Sequence, residues 1–193
     1  MTRAAVFLDR DGVLIREKGL LTRCEDVELL PDAASAVRDL RAAGFLVVVV
    51  TNQTIVARGL ASTADVEKVH SNVQAMLGTF DAGIDAFYYC PHHPQATLPE
   101  YRVDCECRKP RPGMLLRAAA EHDLDLSRSY MVGDRISDVA AGNRAGCYTI
   151  QVRTGEHEAV PIESSDNIDN YITPLKSCES IGEAARLILG MAK

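Results

Sequence analysis

The chain has 193 residues, 47% of them hydrophobic, and a formal net charge of −6 at pH 7. This is enough apolar material for one full core, so we predict a single domain over residues 1–193. The negative charge argues against a surface that binds nucleic acid. No apolar run is long enough to cross a membrane, and the N-terminus has no signal segment. We therefore expect a cytoplasmic monomer without nucleic-acid or membrane partners.

Apolar runs alternate with amphipathic segments along the chain. Strands are predicted at residues 4–8, 45–50, 86–89, 130–132 and 147–152. Helices are predicted at residues 33–43, 63–77, 112–122, 137–145 and 179–191, with Asp32 as a cap of the first. Strands that alternate with helices predict an α/β fold, a doubly wound parallel sheet with crossover helices. Residues 153–176 are polar and give no readable pattern.

The first predicted strand ends at Asp9 and Asp11, which are followed by Gly12. In open α/β sheets, the carboxyl ends of the strands are where ligands bind. Two carboxylates this close repel each other, so a bound cation such as Mg²⁺ would stabilise them. Taken alone, the stretch is equally typical of a strand followed by a solvated turn.

Three later stretches complete a pattern with this one. The sequence Asp9-Arg-Asp-Gly-Val13 after an apolar strand resembles the first motif of the haloacid dehalogenase-like phosphatases. Thr51, Lys109 and Asp134 then resemble the family's second, third and fourth motifs, in that order. The resemblance covers residues 4–152 and implies a Rossmann-like sheet. Larger members carry a cap domain after the first or second motif, but residues 11–32 and 51–86 hold no segment typical of one, so we expect an open site.

The resemblance also implies a role for each motif residue. Asp9 would be the nucleophile that forms an aspartyl-phosphate, and Asp11 the general acid that protonates the leaving oxygen and then activates water. Thr51 and Lys109 would bind the phosphoryl oxygens. A catalytic Mg²⁺ would be held by Asp9, the backbone carbonyl of Asp11, and Asp134.

Each of these residues has a plainer reading by itself. Lys109 could belong to a solvated basic patch, Thr51 could be an ordinary strand residue, and Asp134 could sit in a turn. Asp138 fits a helix cap or a supporting carboxylate better than a metal ligand. The simpler explanations would have to be true of all four motifs, at four separate places in the chain, which favours the phosphatase.

A second metal site is predicted in the loop at about residues 90–111. Cys90 and His92, and then Cys105 and Cys107, are each two residues apart, so each pair can face one ion from an extended backbone. Three thiolates and one imidazole suit a closed, structural Zn²⁺ site. His93 could replace His92 as the ligand, and two unrelated clusters of reduced thiols are the alternative.

The cysteine loop and the Lys109 motif resemble the zinc loop of the heptose-1,7-bisphosphate and histidinol-phosphate phosphatases, a group within the same family. That resemblance implies that Asn52, Arg58 and Arg108 bind substrate. The group has Ser-Gly-Ile where this chain has Thr54-Ile-Val56. A loop of different shape is therefore expected there, because a β-branched residue cannot readily adopt a glycine conformation.

These features favour a Mg²⁺-dependent phosphatase that acts on a phosphorylated sugar, and in particular on the C7 phosphate of D-glycero-D-manno-heptose 1,7-bisphosphate. Histidinol phosphate is the alternative substrate. An inactive, zinc-stabilised binding module is the alternative from another class. A DNA 3′-phosphatase would need a basic surface, which this acidic chain lacks.

Overall fold

The computed structural model describes residues 2–21, 23–155 and 173–192, and these form an α/β fold around one parallel sheet. The strands are β1 (Ala5–Leu8), β2 (Leu46–Asn52), β3 (Ala86–Cys90), β4 (Tyr130–Gly133), β5 (Tyr148–Val152) and β6 (Lys176–Cys178). The helices are α1 (Ala33–Ala42), α2 (Thr54–Ala57), α3 (Thr63–Gly78), α4 (Gly113–His122), α5 (Ile136–Ala145) and α6 (Ile181–Met191). The predicted doubly wound sheet is confirmed.

Helices cover both faces of the sheet because the central strand is apolar on both. On β1, Val6 and Leu8 pack into the core formed with α1, α3 and α6, whereas Ala5 and Phe7 pack into the core under α4 and α5. All four side chains are fully buried. Successive side chains of a strand point to opposite faces, so a continuous apolar run marks a strand buried on both sides.

The strand order places β1 and β4 side by side in the middle of the sheet. The order is β3-β2-β1-β4-β5-β6, and every pair is parallel. The chain reverses its winding direction between β1 and β4, so the loops leaving these two strands diverge and leave a crevice. Asp9 follows β1 and Asp134 follows β4, so both aspartates lie at this crevice.

Several boundaries differ from the predicted ones. β2 runs to Asn52 rather than to residue 50, because Thr51 and Asn52 pair with Tyr89 and Cys90 of β3. The short helix α2 and the short strand β6 were not predicted. Asp32 does not cap α1 through its side chain; it stands in the left-handed region, at φ 65°.

The segments where a cap domain was considered are small. Between β1 and α1 the described residues form one 3₁₀ turn, Cys24–Asp26, and between β2 and β3 they form only α2 and α3. The expected absence of a large cap domain therefore holds for the described part of the chain. No helix within residues 2–21, 23–155 and 173–192 is both long and apolar enough to span a membrane. The single domain over residues 1–193 stays a prediction.

Candidate active site

Asp9 stands at the carboxyl end of β1, with its carboxylate held by two donors. It is 6% exposed, and its backbone amide donates to the Val132 carbonyl across the β1–β4 boundary. The Arg10 amide donates to Asp9 Oδ1 at 2.8 Å, and Lys109 Nζ lies 3.0 Å from the same oxygen. Both contacts fall on one oxygen, so the orientation of the carboxylate is fixed while Oδ2 remains for other chemistry.

Lys109 reaches this point from the loop before α4 and is 3% exposed. Its ammonium contacts Asp138 Oδ1 at 2.6 Å and donates to the Val50 carbonyl at 2.8 Å, besides contacting Asp9. Burial alone would lower the pKa of Lys109, but the Asp138 and Asp9 carboxylates outweigh burial and hold that pKa above its ordinary value. Lys109 is therefore a buried cation, not part of a solvated basic patch.

Asp134 follows β4 and completes a cluster of three buried carboxylates. Ligand oxygens of Asp9, Asp134 and Asp138 lie within 4.8 Å of one another. Neither carboxylate oxygen of Asp134 has a hydrogen-bond partner among the described residues, although Arg135 Nε stands 3.9 Å from Oδ2. Burial, followed by the charges of Asp9 and Asp138, raises the pKa of Asp134 to about 8. Hard divalent cations satisfy such oxygens, so Asp134 together with Asp9 fits a Mg²⁺ ion, while Asp138 pairs with Lys109.

Two glycines let the backbone approach Asp134 closely. Gly12 has φ 77°, and a Cβ placed there would meet Asp134 Oδ2 at 2.7 Å. A Cβ on Gly155 would collide with the same carboxylate. The Thr154 hydroxyl donates to the Gly12 carbonyl at 2.5 Å, which joins the loops that follow β1 and β5. Side chains are excluded on both sides of Asp134, so the space beside its carboxylate stays narrow and polar.

Asp11 is not one of the three grouped carboxylates. Its carboxylate accepts hydrogen bonds from Arg10 Nη2 at 2.9 and 3.0 Å, and from Gln53 Nε2 at 2.9 Å. Gln53 Nε2 also donates to Thr51 Oγ1 at 2.9 Å. The predicted metal ligand at this position was the backbone carbonyl of Asp11, which remains a prediction. Sequence reasoning missed Arg10 and assigned Gln53 no role, although a charged residue at the end of a buried strand is itself a signal.

The three predicted substrate-binding residues lie in different surroundings. Both polar atoms of the Asn52 amide bond to the Lys109 backbone: Nδ2 donates to its carbonyl at 3.0 Å, and Oδ1 accepts from its amide at 3.1 Å. Arg108 is half-buried and donates to the His92 carbonyl at 3.2 Å. Arg58 is exposed at the C-terminal end of α2. Asn52 thus holds the backbone of Lys109, and substrate contacts of all three residues stay predictions.

The cysteine loop brings four ligand atoms together. Cys107 Sγ lies 3.2 Å from Cys90 Sγ, 3.3 Å from Cys105 Sγ and 3.4 Å from His92 Nδ1. A tetrahedral Zn²⁺ would separate its ligand atoms by about 3.5–3.8 Å, so small adjustments would centre an ion among them. Contact with the Cys90 thiol lowers the pKa of Cys107 to about 5, whereas that contact and burial raise the pKa of Cys90. A thiolate is the form of cysteine that binds a metal.

The geometry separates the two histidines of this loop. His92 Nδ1 faces the thiols, at 3.4 Å from Cys107 Sγ and 3.7 Å from Cys90 Sγ. His93 Nδ1 instead accepts a hydrogen bond from the Gln95 amide at 3.1 Å. The structure therefore groups His92 with the cysteines, and all six cysteines of the chain are free thiols.

Comparison with known proteins identifies the family. A family model described as HAD-hydrolase-like matches residues 106–178. The chain is 42% identical over 153 residues to the D-glycero-beta-D-manno-heptose-1,7-bisphosphate 7-phosphatase of Escherichia coli (strain K12), covering 79% of this chain and 80% of that protein. It is 45% identical over 159 residues to the D-glycero-D-manno-heptose-1,7-bisphosphate 7-phosphatase of Thermosynechococcus vestitus, covering 80% of this chain and 81% of that one.

A solved structure agrees over almost the whole chain. The D,D-heptose 1,7-bisphosphate phosphatase from B. bronchiseptica, complexed with magnesium and phosphate, superposes with a TM-score of 0.80 at 30% identity. The match covers 97% of this chain and 99% of the other. The sequence relatives and the fold both indicate that this chain belongs to the heptose-1,7-bisphosphate phosphatase family of the HAD-like hydrolases.

Proposed function

We propose that this protein is a Mg²⁺-dependent phosphatase that removes the C7 phosphate of D-glycero-D-manno-heptose 1,7-bisphosphate. The proposal is supported mainly by the meeting of Asp9, Lys109 and Asp134 at the ends of β1 and β4. A buried carboxylate, a buried ammonium, and a carboxylate that accepts no hydrogen bond from the described residues share one crevice there. This set combines a nucleophile, a cation for the phosphoryl oxygens and a site for a divalent ion. The names of the relatives supply the substrate.

In the proposed reaction, Asp9 Oδ2 attacks phosphorus while Oδ1 is held by Lys109 and the Arg10 amide. The P–O bond to the sugar breaks, Asp11 gives its proton to the leaving oxygen, and an aspartyl-phosphate forms. Water then attacks that phosphorus and gives a proton to Asp11, which releases phosphate and restores Asp9. Thr51 and Lys109 would donate to the phosphoryl oxygens in both steps.

Two metal ions are part of the proposal. Asp9, Asp134 and the backbone carbonyl of Asp11 would hold Mg²⁺, which reduces the repulsion between an anionic nucleophile and an anionic substrate. Cys90, His92, Cys105 and Cys107 would hold Zn²⁺. The zinc set has four protein ligands and no open position, so its role would be to fix the loop that ends at Lys109.

The substrate assignment is supported by the cations beside the crevice. Arg108 precedes Lys109 directly, and the side chain of Arg135, next to Asp134, is 48% exposed. A bisphosphate presents a second dianion that such guanidinium groups bind well. Histidinol phosphate carries a cation at the corresponding end, so these guanidinium groups would not strengthen its binding. That the protein is a monomer and that it is located in the cytoplasm both stay predictions.

A phosphate-release assay over a small substrate panel tests the proposal. The panel holds both anomers of the heptose bisphosphate, histidinol phosphate and fructose 1,6-bisphosphate, each measured with Mg²⁺ and with EDTA. Asp9→Asn is the matched control, because its neutral amide cannot attack phosphorus. ³¹P NMR of the heptose product identifies which phosphate is lost.

We expect Mg²⁺-dependent loss of the C7 phosphate, with a kcat/KM above those for the other substrates, and no turnover by Asp9→Asn. A preference for histidinol phosphate would transfer the same chemistry to the alternative substrate. If Asp9→Asn kept a tenth of the wild-type rate, the aspartyl-phosphate mechanism would be wrong. An absence of turnover on every substrate would favour the binding module.

A further inference from the structure

We propose that Arg10 and Gln53 are positioning residues that hold the Asp11 carboxyl group for proton transfer to the leaving oxygen. The inference rests on the proposed phosphatase function, in which Asp11 is the general acid. Arg10 and Gln53 both donate to the Asp11 carboxylate through their side chains, so these contacts depend on the identity of those side chains.

Arg10 is the largest fully buried side chain at the site, with 2% of its surface exposed. Its Nη2 contacts both oxygens of the neighbouring Asp11, and its Nε lies 3.3 Å from Oδ1. Burial of a guanidinium group costs several kcal/mol in lost hydration, unless an anion and hydrogen bonds compensate for it. The Asp11 carboxylate, in the ionised state that takes a proton from water, is that anion. The two adjacent residues therefore restrain each other's side-chain rotamers.

Gln53 fixes the other side of Asp11 and is 6% exposed. Its Oε1 accepts from Arg10 Nη2 at 2.9 Å, while its Nε2 donates to Asp11 Oδ2 and to Thr51 Oγ1, each at 2.9 Å. A flipped amide would place its NH₂ group against Arg10 and its oxygen against the carboxylate, losing the bonds to Arg10 and Asp11. The arginine therefore sets the orientation of the amide, and the amide sets the position of the carboxyl group.

The same amide orients Thr51. Because Thr51 Oγ1 accepts the second hydrogen of Gln53 Nε2, the threonine hydrogen must point to another acceptor. A phosphoryl oxygen at the strand ends would be such an acceptor. One glutamine thus links the general acid to a phosphate-binding hydroxyl, and Arg10 holds that glutamine in place.

The test uses substituted phenyl phosphates, from p-nitrophenyl phosphate with its good leaving group to phenyl phosphate with a poor one. General acid catalysis matters most for poor leaving groups, and kcat/KM reports the steps up to departure of the leaving group. The variants are Gln53→Met, which removes the amide, Gln53→Glu, which keeps the size but not the donors, and Arg10→Lys. Gln74→Met is the control, since Gln74 on α3 accepts a hydrogen bond from the Ile84 amide at 2.8 Å, away from the site.

Asp11→Asn calibrates the series. If Asp11 is the general acid, its variant should lose about 10²–10⁴-fold in kcat/KM on phenyl phosphate and far less on p-nitrophenyl phosphate. We expect both Gln53 variants to show the same leaving-group dependence at about 10–100-fold, with a smaller loss for Arg10→Lys, because a lysine can hold only part of the network. Gln74→Met should lose equally little on all substrates.

The outcomes separate the two hypotheses. If Asp11→Asn loses equally on every phenyl phosphate, the proposed acid role of Asp11 is wrong, and this inference is overturned with it. If Asp11→Asn discriminates and no folded Arg10 or Gln53 variant does, only the positioning inference is overturned. Thermal denaturation identifies the folded variants. A failure of Arg10→Lys and both Gln53 variants to fold would assign the network to stability, and would also overturn the inference.

Discussion

Replacement of Lys109 by methionine should damage catalysis and stability through the same three contacts. The ammonium group lies 2.6 Å from Asp138, 3.0 Å from Asp9 and 2.8 Å from the Val50 carbonyl. Methionine keeps the length of the side chain but makes none of these contacts. The variant therefore leaves two buried carboxylates facing each other without a cation, at the point where a phosphoryl group would also bring negative charge.

The size of each effect follows from this geometry. Loss of a preorganised electrostatic donor costs about 10²–10³-fold in kcat. Removal of one partner of a buried ion pair destabilises a protein by about 3–5 kcal/mol. Burial already raises the pKa of Asp138, and without Lys109 that pKa should rise further. A carboxyl whose folded-state pKa is raised loses stability as pH rises, so the variant should be least destabilised at low pH.

The assay measures kcat/KM on a sugar bisphosphate and on p-nitrophenyl phosphate, and urea unfolding at pH 5 and pH 8. Lys68→Met is the control, because Lys68 forms an exposed ion pair with Asp65 at 2.9 Å, and such pairs contribute about 0–1 kcal/mol. Lys109→Met should lose activity similarly on both substrates, because Lys109 faces the reacting group. A loss below tenfold, or a loss confined to the bisphosphate, would contradict this reasoning.

Three further predictions concern the neighbours of Lys109. Arg108→Ala should lose about 1.5–3 kcal/mol of binding free energy for a bisphosphate, measured as a higher KM, and should change the hydrolysis of p-nitrophenyl phosphate little. Equal losses on both substrates would place Arg108 at the reacting group. Protein purified without added metal should contain about one Zn²⁺ per chain, and Cys107→Ala should lose the ion together with stability and activity; full activity without zinc would exclude the structural role. Without metal, the protein should become less stable as pH rises towards about 8, because Asp134 then loses a proton that the folded state holds more tightly than the unfolded state does. Added Mg²⁺ should reverse that trend in thermal denaturation. A stability that does not change with pH would contradict the raised pKa of Asp134.

The parts of the fold that sequence reasoning predicted well are those with strong local signals. The continuous apolar runs at residues 4–8, 45–50 and 130–132 predicted the three central strands, and the predicted helix 63–77 is α3, which Ser62 caps through a hydrogen bond from Asp65 N. β6 has three residues, of which only Cys178 is buried, so it carries no alternating pattern. α2 contains Thr54, Ile55 and Val56, which have low intrinsic helix propensity; tertiary packing of Ile55 and Val56 outweighs that propensity.

The candidate site likewise has parts that could be predicted from the sequence and parts that could not. Motif residues at strand ends could be identified because a parallel sheet collects such ends at one edge. The contacts between them could not be identified, since Asn52 and Lys109 are separated by 57 residues and Gln53 and Asp11 by 42. Spacing along the chain says nothing about such pairs. The choice between His92 and His93 likewise needed the loop geometry, because both histidines follow Cys90 within three residues.

Lys109 is the residue on which the two proposed metal sites converge. Its loop has two anchors: Cys107, two residues before it, belongs to the Cys/His cluster, and Asn52 at the end of β2 holds both its amide and its carbonyl. A long, flexible lysine side chain becomes a fixed charge only if its backbone is fixed, since side-chain ordering costs up to about 2 kcal/mol. With zinc bound, the Cys/His cluster and the end of β2 would together supply that rigidity. A zinc ion held by this cluster would thus serve catalysis without touching substrate, by keeping the ammonium group within 3.0 Å of Asp9.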